Sequence, residues 1–290
     1  MHIQTAALTE KSMKTILIPM ERHDVRSALE TALLLARRCN SYMEGFAVRW
    51  QISEVSGADL LGDFLLERYN QDIAEDAKKA RRNFEAFMHQ NNVPRSTGTI
   101  GSLSFGWLGD VPPGENFVGN YGRVFDVIVM NRPDENSPGL YDRAIESGLC
   151  ASGRPLLVSP PSPPPQLATN VLISWNCSAE QARTVALAIP LLQKADRVTV
   201  LNVAGGSAAS GPSAEQLIQY LQRNSIRAGL RTVEFNGRNM GEVILATAKS
   251  LGCDLLIKSA YTRTRLRQLI FSGATQHVLA NASLPVLLGH

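Results

Sequence analysis

The chain has 290 residues, of which 44% are hydrophobic and 19% are charged, and its formal net charge is +3. This length accommodates two domains of ordinary size, and the weak positive charge does not predict a nucleic-acid partner. The four cysteines have no C-x-x-C spacing, so neither a disulfide framework nor a metal site is expected. Because no window carries about 18 apolar residues and no signal-peptide pattern is present, we expect a cytoplasmic chain without a membrane partner.

Short apolar runs alternate with helical patterns through the first half of the chain. Continuous apolar runs bounded by polar residues predict buried strands, and apolar residues spaced three or four apart predict helices. Glycines and prolines between residues 106 and 114 predict a loop. Strands are predicted at residues 14–19, 43–48, 97–107, 125–130 and 155–158. Helices are predicted at residues 27–38, 52–67, 72–90 and 142–150.

A proline-rich stretch follows this half. Five of the six residues at 160–165 are proline, a composition that excludes a helix or a central strand and favours a stiff, extended spacer. We therefore expect a first domain over residues 13–159, a linker over 160–168 and a second domain over 169–290.

The pattern of the first half restarts after the linker. Asp126 and Asp254 stand in register in the two copies, and Ser213 with Gln216 predicts a capping box. Strands are predicted at residues 170–173, 197–203, 230–235, 253–259 and 284–288, and helices at 180–192, 213–224, 241–250 and 274–282. Buried strands that alternate with helices predict, in each half, a doubly wound α/β fold in which helices cover both faces of a parallel sheet.

In such a fold a ligand binds where the strands end, at the point where the strand order reverses. In the second half this edge brings together Ser174, Trp175 and Asn176 after the first strand, Val203 after the second, and residues 258–262 after the fourth. The Trp175 side chain either lines the pocket or packs at the domain interface. We predict a crevice for a small molecule between these strand ends.

The helix predicted at 274–282 adds to this edge. Ser272 and Gly273 stand at its start, where free N–H groups and the positive end of the helix dipole suit an anion. Three arginines before the helix either add charge to such a site or form a solvated face; they are Arg263, Arg265 and Arg267.

Two other features favour structural interpretations. The glycine-rich stretch at 205–211 lacks the lysine of a phosphate-binding loop and is interpreted as a flexible loop. His277, on the last helix, is expected at the surface. The sequence carries no Ser/His/Asp order, no carboxylate pair and no H-E-x-x-H motif, so it predicts no catalytic residue.

Both halves resemble the universal stress protein family. Nucleotide-binding members of that family carry G-x-x-G, nine residues, G-S/T, a helix and P-V-L-V. Here Ser259 and Thr262 stand at the first two glycines, Ser272 and Gly273 stand at the final pair, and residues 284–288 match the closing strand.

The first half departs further from this pattern. The family usually has an aspartate after the first strand, where the second half has Asn176 and the first half has Glu21. Asp142 falls at the position of the phosphate-side glycine in the first half. Because a carboxylate repels a phosphate, we expect the first half not to bind ATP.

The resemblance implies a Rossmann-like fold of the adenine nucleotide alpha hydrolase type, present twice, and a stress-linked role. It also implies that the two halves pair through their last strands, near Pro155 and Pro285, as an intramolecular pseudo-dimer, while a further homodimer stays open. An exposed sheet edge favours such pairing.

Two functions stay open for the site. One is a non-enzymatic stress-response protein that senses a ligand or binds a partner. The other is an ATP-binding protein that uses Mg²⁺ and hydrolyses ATP slowly in its second domain; a different small molecule is a third occupant of the crevice. The candidate ligand-binding residues are Ser174, Trp175, Asn176, Val203, Lys258, Ser259, Thr262, Ser272, Gly273, Ala274 and Thr275.

Overall fold

The computed structural model describes residues 12–20, 25–49, 63–98, 101–114, 116–132, 140–206, 208–237, 239–260 and 273–290. In the first half these residues form β1 (Thr15–Met20), α1 (Arg26–Cys39), β2 (Tyr42–Ala47), α2 (Asp63–Gln90), β3 (Ser104–Leu108), α3 (Asn116–Gly122), β4 (Val127–Asn131), α4 (Leu140–Ala151) and β5 (Leu156–Ser159). In the second half they form β6 (Asn170–Trp175), α5 (Ala179–Leu192), β7 (Arg197–Ala204), α6 (Ala214–Arg223), β8 (Ala228–Glu234), α7 (Met240–Ser250), β9 (Leu255–Ser259), α8 (Ala274–Asn281) and β10 (Val286–Gly289).

The described strands lie in a single sheet whose order is β3-β2-β1-β4-β5-β10-β9-β6-β7-β8. Within each half the neighbouring strands are parallel. The equivalent strands of the second half follow one another in the reverse order across the sheet. The predicted α/β fold, present twice with five parallel strands in each copy, is confirmed. The reversal of strand order falls between β1 and β4 in the first copy and between β6 and β9 in the second.

The two copies meet where β10 runs antiparallel to β5. Leu157 lies opposite Leu287, and both side chains are fully buried. This pairing leaves neither closing strand as an open edge, which is the arrangement that natural sheets favour.

Helices cover both faces of the sheet because the strand residues are apolar on both sides. One face packs against α1, α2, α5 and α6. The other packs against α3, α4, α7 and α8. Along β9 the side chains alternate between these layers, so that Ile257 belongs to the first face and Leu256 to the second.

The aspartates in register have the same structural role in both copies. Asp126 accepts hydrogen bonds from the backbone N–H groups of Lys14 (2.7 Å) and Thr15 (2.9 Å). Asp254 accepts them from Thr169 (2.9 Å) and Asn170 (3.0 Å). Each carboxylate therefore satisfies the donors at the start of the central strand in its own half.

Two helices differ from the prediction. The helix predicted at 72–90 begins at Asp63 and continues unbroken to Gln90, whereas residues 52–62 of the separate helix predicted at 52–67 lie outside the described part. Helix α3 was not predicted at all, because its sequence contains Asn and Gly residues that disfavour helices. Gly119 explains why it forms: a Cβ atom at this position would lie 2.3 Å from the Ser147 carbonyl oxygen, so glycine lets α3 pack closely on α4.

A reciprocal contact joins the C-terminal ends of α1 and α5. The Arg38 guanidinium donates to the Lys194 carbonyl oxygen, and the Lys194 ammonium donates to the Arg38 carbonyl oxygen at 3.1 Å. Each cation thus lies at the negative end of the helix from the other half, where the helix dipole favours it.

We expect Arg38→Ala to lower the free energy of unfolding by about 1–2 kcal/mol, because the variant loses the charge-assisted hydrogen bond from the Arg38 guanidinium to the Lys194 carbonyl oxygen in the other half. Urea denaturation followed by circular dichroism measures the change. Arg223→Ala is the matched control, since Arg223 is an exposed residue in the last turn of α6. Equal effects in the two variants would contradict a specific role for the Arg38 contact.

Candidate functional site

The candidate site lies between the carboxyl ends of β6 and β9, which are adjacent and parallel. After β6 the chain enters α5 on one face of the sheet, and α8 covers the other face. The strand order reverses between these two strand ends, which is the usual ligand position in a doubly wound sheet.

Hydrogen bonds connect Asn176, which follows β6, with Ser259 at the end of β9 and with the first turn of α5. The side-chain amide nitrogen of Asn176 donates to Ser259 Oγ (3.3 Å), while its side-chain oxygen Oδ1 accepts from the Ser178 N–H group (3.1 Å). Ser178 caps α5 by accepting from the Gln181 N–H group. The Gln181 side-chain oxygen accepts from the backbone N–H group of Ser259. The strand ends are thus held together by uncharged polar groups.

One polar atom in this network has no partner. Gln181 is completely buried, and its Nε2 atom makes no hydrogen bond. A buried amide donor without an acceptor costs about 1–3 kcal/mol. Such a group marks a place where a ligand or a water molecule supplies the missing acceptor.

A buried lysine lies on the other side of the β9 end. Lys258 is only 8% exposed, and its Nζ atom donates to the Ser259 carbonyl oxygen (2.9 Å) and to Thr275 Oγ1 (2.7 Å). Thr275 in turn donates to the carbonyl oxygen of Ala260 (2.7 Å). Among the described residues, no carboxylate forms a salt bridge with Lys258. Burial lowers the pKa of the Lys258 ammonium to about 8.

Helix α8 begins beside this lysine. Gly273 precedes the helix with φ 65° and provides no side-chain cap, so the first N–H groups of α8 have no capping oxygen from that residue. Thr275 lies in the first turn. The positive end of the helix dipole and the Lys258 ammonium therefore lie together, and both favour a negative charge at this place.

The remaining predicted site residues lie in different surroundings. Ser174 is buried, and Trp175 belongs to the core, where its indole N–H donates to the Pro212 carbonyl oxygen (2.9 Å). Val203 packs against the opposite core layer. Ala274 opens α8 and is half-buried. Thr262 and Ser272 lie outside the described residues, as do the three arginines Arg263, Arg265 and Arg267.

The glycine-rich stretch at 205–211 is attached to the end of β6 in its described part. The Ala209 N–H group donates to the backbone carbonyl oxygen of Asn176 (3.0 Å). A Cβ atom on Gly211 would lie 2.4 Å from the Cys177 carbonyl oxygen, so glycine is required for this close approach. The sequence predicts a flexible loop here; the described part of the stretch forms no helix or strand, and these contacts place it beside Asn176 and Cys177.

Sequence reasoning placed Lys258, Ser259, Asn176 and Thr275 at this edge, and the structure brings them together through the contacts above. It did not include Gln181. The signal for Gln181 was its place in the first turn of a helix that starts directly after the β6 edge, where side chains reach the strand ends.

The first half has a different set of residues at the equivalent edge. When the two halves are aligned on Asp126 and Asp254, Met130 is the residue equivalent to Lys258. The Met130 side chain is fully buried. Asn131, in the place of Ser259, accepts hydrogen bonds from the Ala28 N–H group (3.1 Å) and from Ser159 Oγ (3.1 Å). Glu21 lies outside the described residues. The first half therefore has no buried cation at this position.

The described side chains provide no group of three or more His, Cys, Asp or Glu residues that could hold a metal ion. None of the helices in the described ranges combines the length and the apolar character required to cross a bilayer.

Comparisons with known proteins identify the family of the second half. The Universal stress protein family model matches residues 169–290. A universal stress protein from Archaeoglobus fulgidus DSM 4304 has the same fold along the chain, with 11% identity, a TM-score of 0.71 and coverage of 96% of each chain. A putative universal stress protein from Pseudomonas aeruginosa UCBPP-PA14 matches with 13% identity, a TM-score of 0.51 and coverage of 96% of this chain and 93% of that one.

A further match covers only part of the chain. It is the universal stress protein from Archaeoglobus fulgidus in complex with dAMP, with 11% identity, a TM-score of 0.31 and coverage of 41% of this chain and 96% of that one. No curated protein matches the chain. The family match and the repeated fold together show that residues 169–290 are a universal stress protein domain, in a chain whose first half has the same architecture.

Proposed function

We propose that the second domain binds an adenine nucleotide in the crevice between β6 and β9, and that the protein is a non-enzymatic, ligand-sensing member of the universal stress protein family. In this proposal residues 13–159 form a companion domain without a nucleotide site, residues 160–168 form the linker, and the two domains are an intramolecular pseudo-dimer.

The observation that carries the proposal is Lys258. A buried ammonium that has no carboxylate partner within the described ranges lies beside the N-terminal turn of α8. A phosphate group would be held by the lysine charge and by the free N–H groups of the helix. The buried amide donor of Gln181 supports the same site from the other face of the sheet. These groups are donors, as an anionic ligand requires.

Binding without hydrolysis fits the side chains that meet at this edge. Asn176, Gln181, Lys258, Ser259 and Thr275 include no carboxylate and no histidine that could act as a general base toward water. A bound nucleotide would connect β6, α5, β9 and α8. Binding would restrict the motion of these four elements, and a partner protein could recognise the more ordered state.

Titration calorimetry with ATP or AMP tests nucleotide binding directly. We expect saturable heat with the full-length protein, and a loss of affinity of roughly 100-fold in Gly273→Asp, because the new carboxylate would lie at the start of α8 and repel the phosphate. Gly153→Asp is the matched control: Gly153 also has a positive φ and open surroundings, but it lies in the first half.

Three outcomes would count against this assignment. The absence of heat up to millimolar nucleotide would remove nucleotide binding. Equal affinity in Gly273→Asp and Gly153→Asp would place the ligand elsewhere. Phosphate release from ATP by the wild type, absent in Gly273→Asp, would instead support slow ATP hydrolysis with Mg²⁺.

A further inference from the structure

We propose, on the basis of the nucleotide site described above, that this site takes a phosphomonoester without a divalent cation and that Lys258 takes up a proton as the ligand binds. The lysine would supply the countercharge that a metal ion supplies at many phosphate sites. Binding would then depend on pH on the alkaline side of neutrality.

Lys258 occupies a place that an apolar residue fills in the first half. Met130 is the fully buried residue at the equivalent place in the first half, so the sheet accepts an apolar side chain there. In the second half a cation occupies the same place, although burial disfavours it and the adjacent helix terminus is itself positive. An anion would relieve both unfavourable contributions.

Lys258 and Gln181 both bring hydrogen-bond donors to the end of β9. Lys258 Nζ uses two of its donors on the Ser259 carbonyl oxygen and Thr275 Oγ1, which leaves one of its three N–H groups. Gln181 Nε2 is a second buried donor at the same strand end. A hard cation such as Mg²⁺ needs oxygen ligands, usually carboxylates, and the described side chains that meet here include no carboxylate.

Among the described residues, Lys258 has no charged hydrogen-bond partner. Burial lowers its pKa. The titratable or charged groups on the elements that flank β9 are Glu180 and Arg183 on α5, Glu242 and Lys249 on α7, His277 on α8 and His290 after β10. A bound phosphate would raise the pKa of Lys258 and draw a proton from solution.

The expected pH dependence follows from this linkage. Above pH 8 the free lysine loses its proton, so affinity should fall by up to about tenfold for each further pH unit. The phosphomonoester does not obscure this change, because its second pKa is about 6. Near pH 7, where Lys258 already carries its proton, binding should take up almost none.

Titration calorimetry with AMP tests the inference in two buffers of different ionisation enthalpy. At pH 9 we expect an uptake of about one proton per AMP in the wild type, and equal affinity within about twofold in EDTA and in MgCl₂. Lys258→Met should lose the proton uptake and the decline in affinity above pH 8. Lys249→Met, which changes an exposed lysine on α7, should keep both.

The outcomes separate this inference from the proposed function. AMP heat that requires Mg²⁺, or proton uptake that is unchanged in Lys258→Met, would overturn the inference while nucleotide binding stands. The absence of heat with AMP and ATP at every pH would overturn both.

Discussion

Lys258→Met is expected to raise the free energy of unfolding of the ligand-free protein by about 2–3 kcal/mol at pH 7. The native fold lowers the pKa of this lysine from 10.5 to about 8, and this difference corresponds to about 3 kcal/mol of stability lost by burying the charged form. Methionine has a similar length and matches the fully buried Met130 of the first half. The Ser259 carbonyl oxygen and Thr275 Oγ1 lose the lysine donor in this variant, which offsets part of the gain.

The gain should disappear as the pH rises. Because the native pKa of Lys258 lies below the unfolded value, the unfolded chain binds more protons between pH 8 and pH 10.5, and the stability of the wild type increases with pH across that interval. The variant lacks this titration. The difference between the two proteins should therefore be largest below pH 8 and close to zero near pH 10.5.

Urea denaturation at several pH values, followed by circular dichroism, measures this difference. Lys249→Met is again the control, because Lys249 is exposed and its replacement should give a small, pH-independent change. A Lys258→Met protein that is less stable than the wild type at pH 7, or a difference that does not change with pH, would contradict a buried, unpaired ammonium.

A residue that lowers stability in this way invites a functional explanation. Proteins retain strained or destabilising groups mainly where binding or chemistry uses them. In the first half the equivalent residue is the apolar Met130, and its strand β4 also lies in the continuous sheet. The stability of the fold therefore does not require Lys258, which is why we assign it to ligand binding.

The fold was largely predictable from the sequence because its strands are buried on both faces. The apolar runs at 127–130 and 255–257 have one reasonable interpretation when helical patterns flank them, and the proline-rich stretch at 160–165 separates two equal patterns. Helix α3 was missed for a physical reason. Its stability comes from the close packing of Gly119 on Ser147, and local helix propensity does not report such a contact.

The site was predictable in its location but not in its chemistry. Strand alternation puts Lys258 on the same face as Leu256, so its burial follows from the sequence. The contact of Lys258 with Thr275 depends on how α8 lies on the sheet, and the bond from Ser259 to Gln181 depends on the rotation of α5. The spacing of apolar residues determines neither the placement of α8 nor the rotation of α5.

Asp254→Ala is expected to lower the free energy of unfolding by about 3 kcal/mol. Asp254 is 8% exposed, and its carboxylate accepts from the N–H groups of Thr169 (2.9 Å) and Asn170 (3.0 Å) at the start of β6. Alanine would leave both donors without this partner at a partly buried strand end. The penalty includes the desolvation of those donors as well as the loss of charge-assisted hydrogen bonds.

Asp254→Asn distinguishes the hydrogen bonds from the charge. One carboxylate oxygen, Oδ1, accepts from both Thr169 and Asn170, so the amide oxygen of asparagine can keep both bonds, and we expect a loss of only about 1 kcal/mol. Asp196→Ala, at an exposed position before β7, should change stability by less than about 0.5 kcal/mol. Since β6 lies between β7 and β9 in the continuous sheet, damage at its start should lower the unfolding midpoint of the whole chain. Similar losses in Asp254→Ala and Asp196→Ala under urea denaturation would show that the repeated aspartate does not hold the strand.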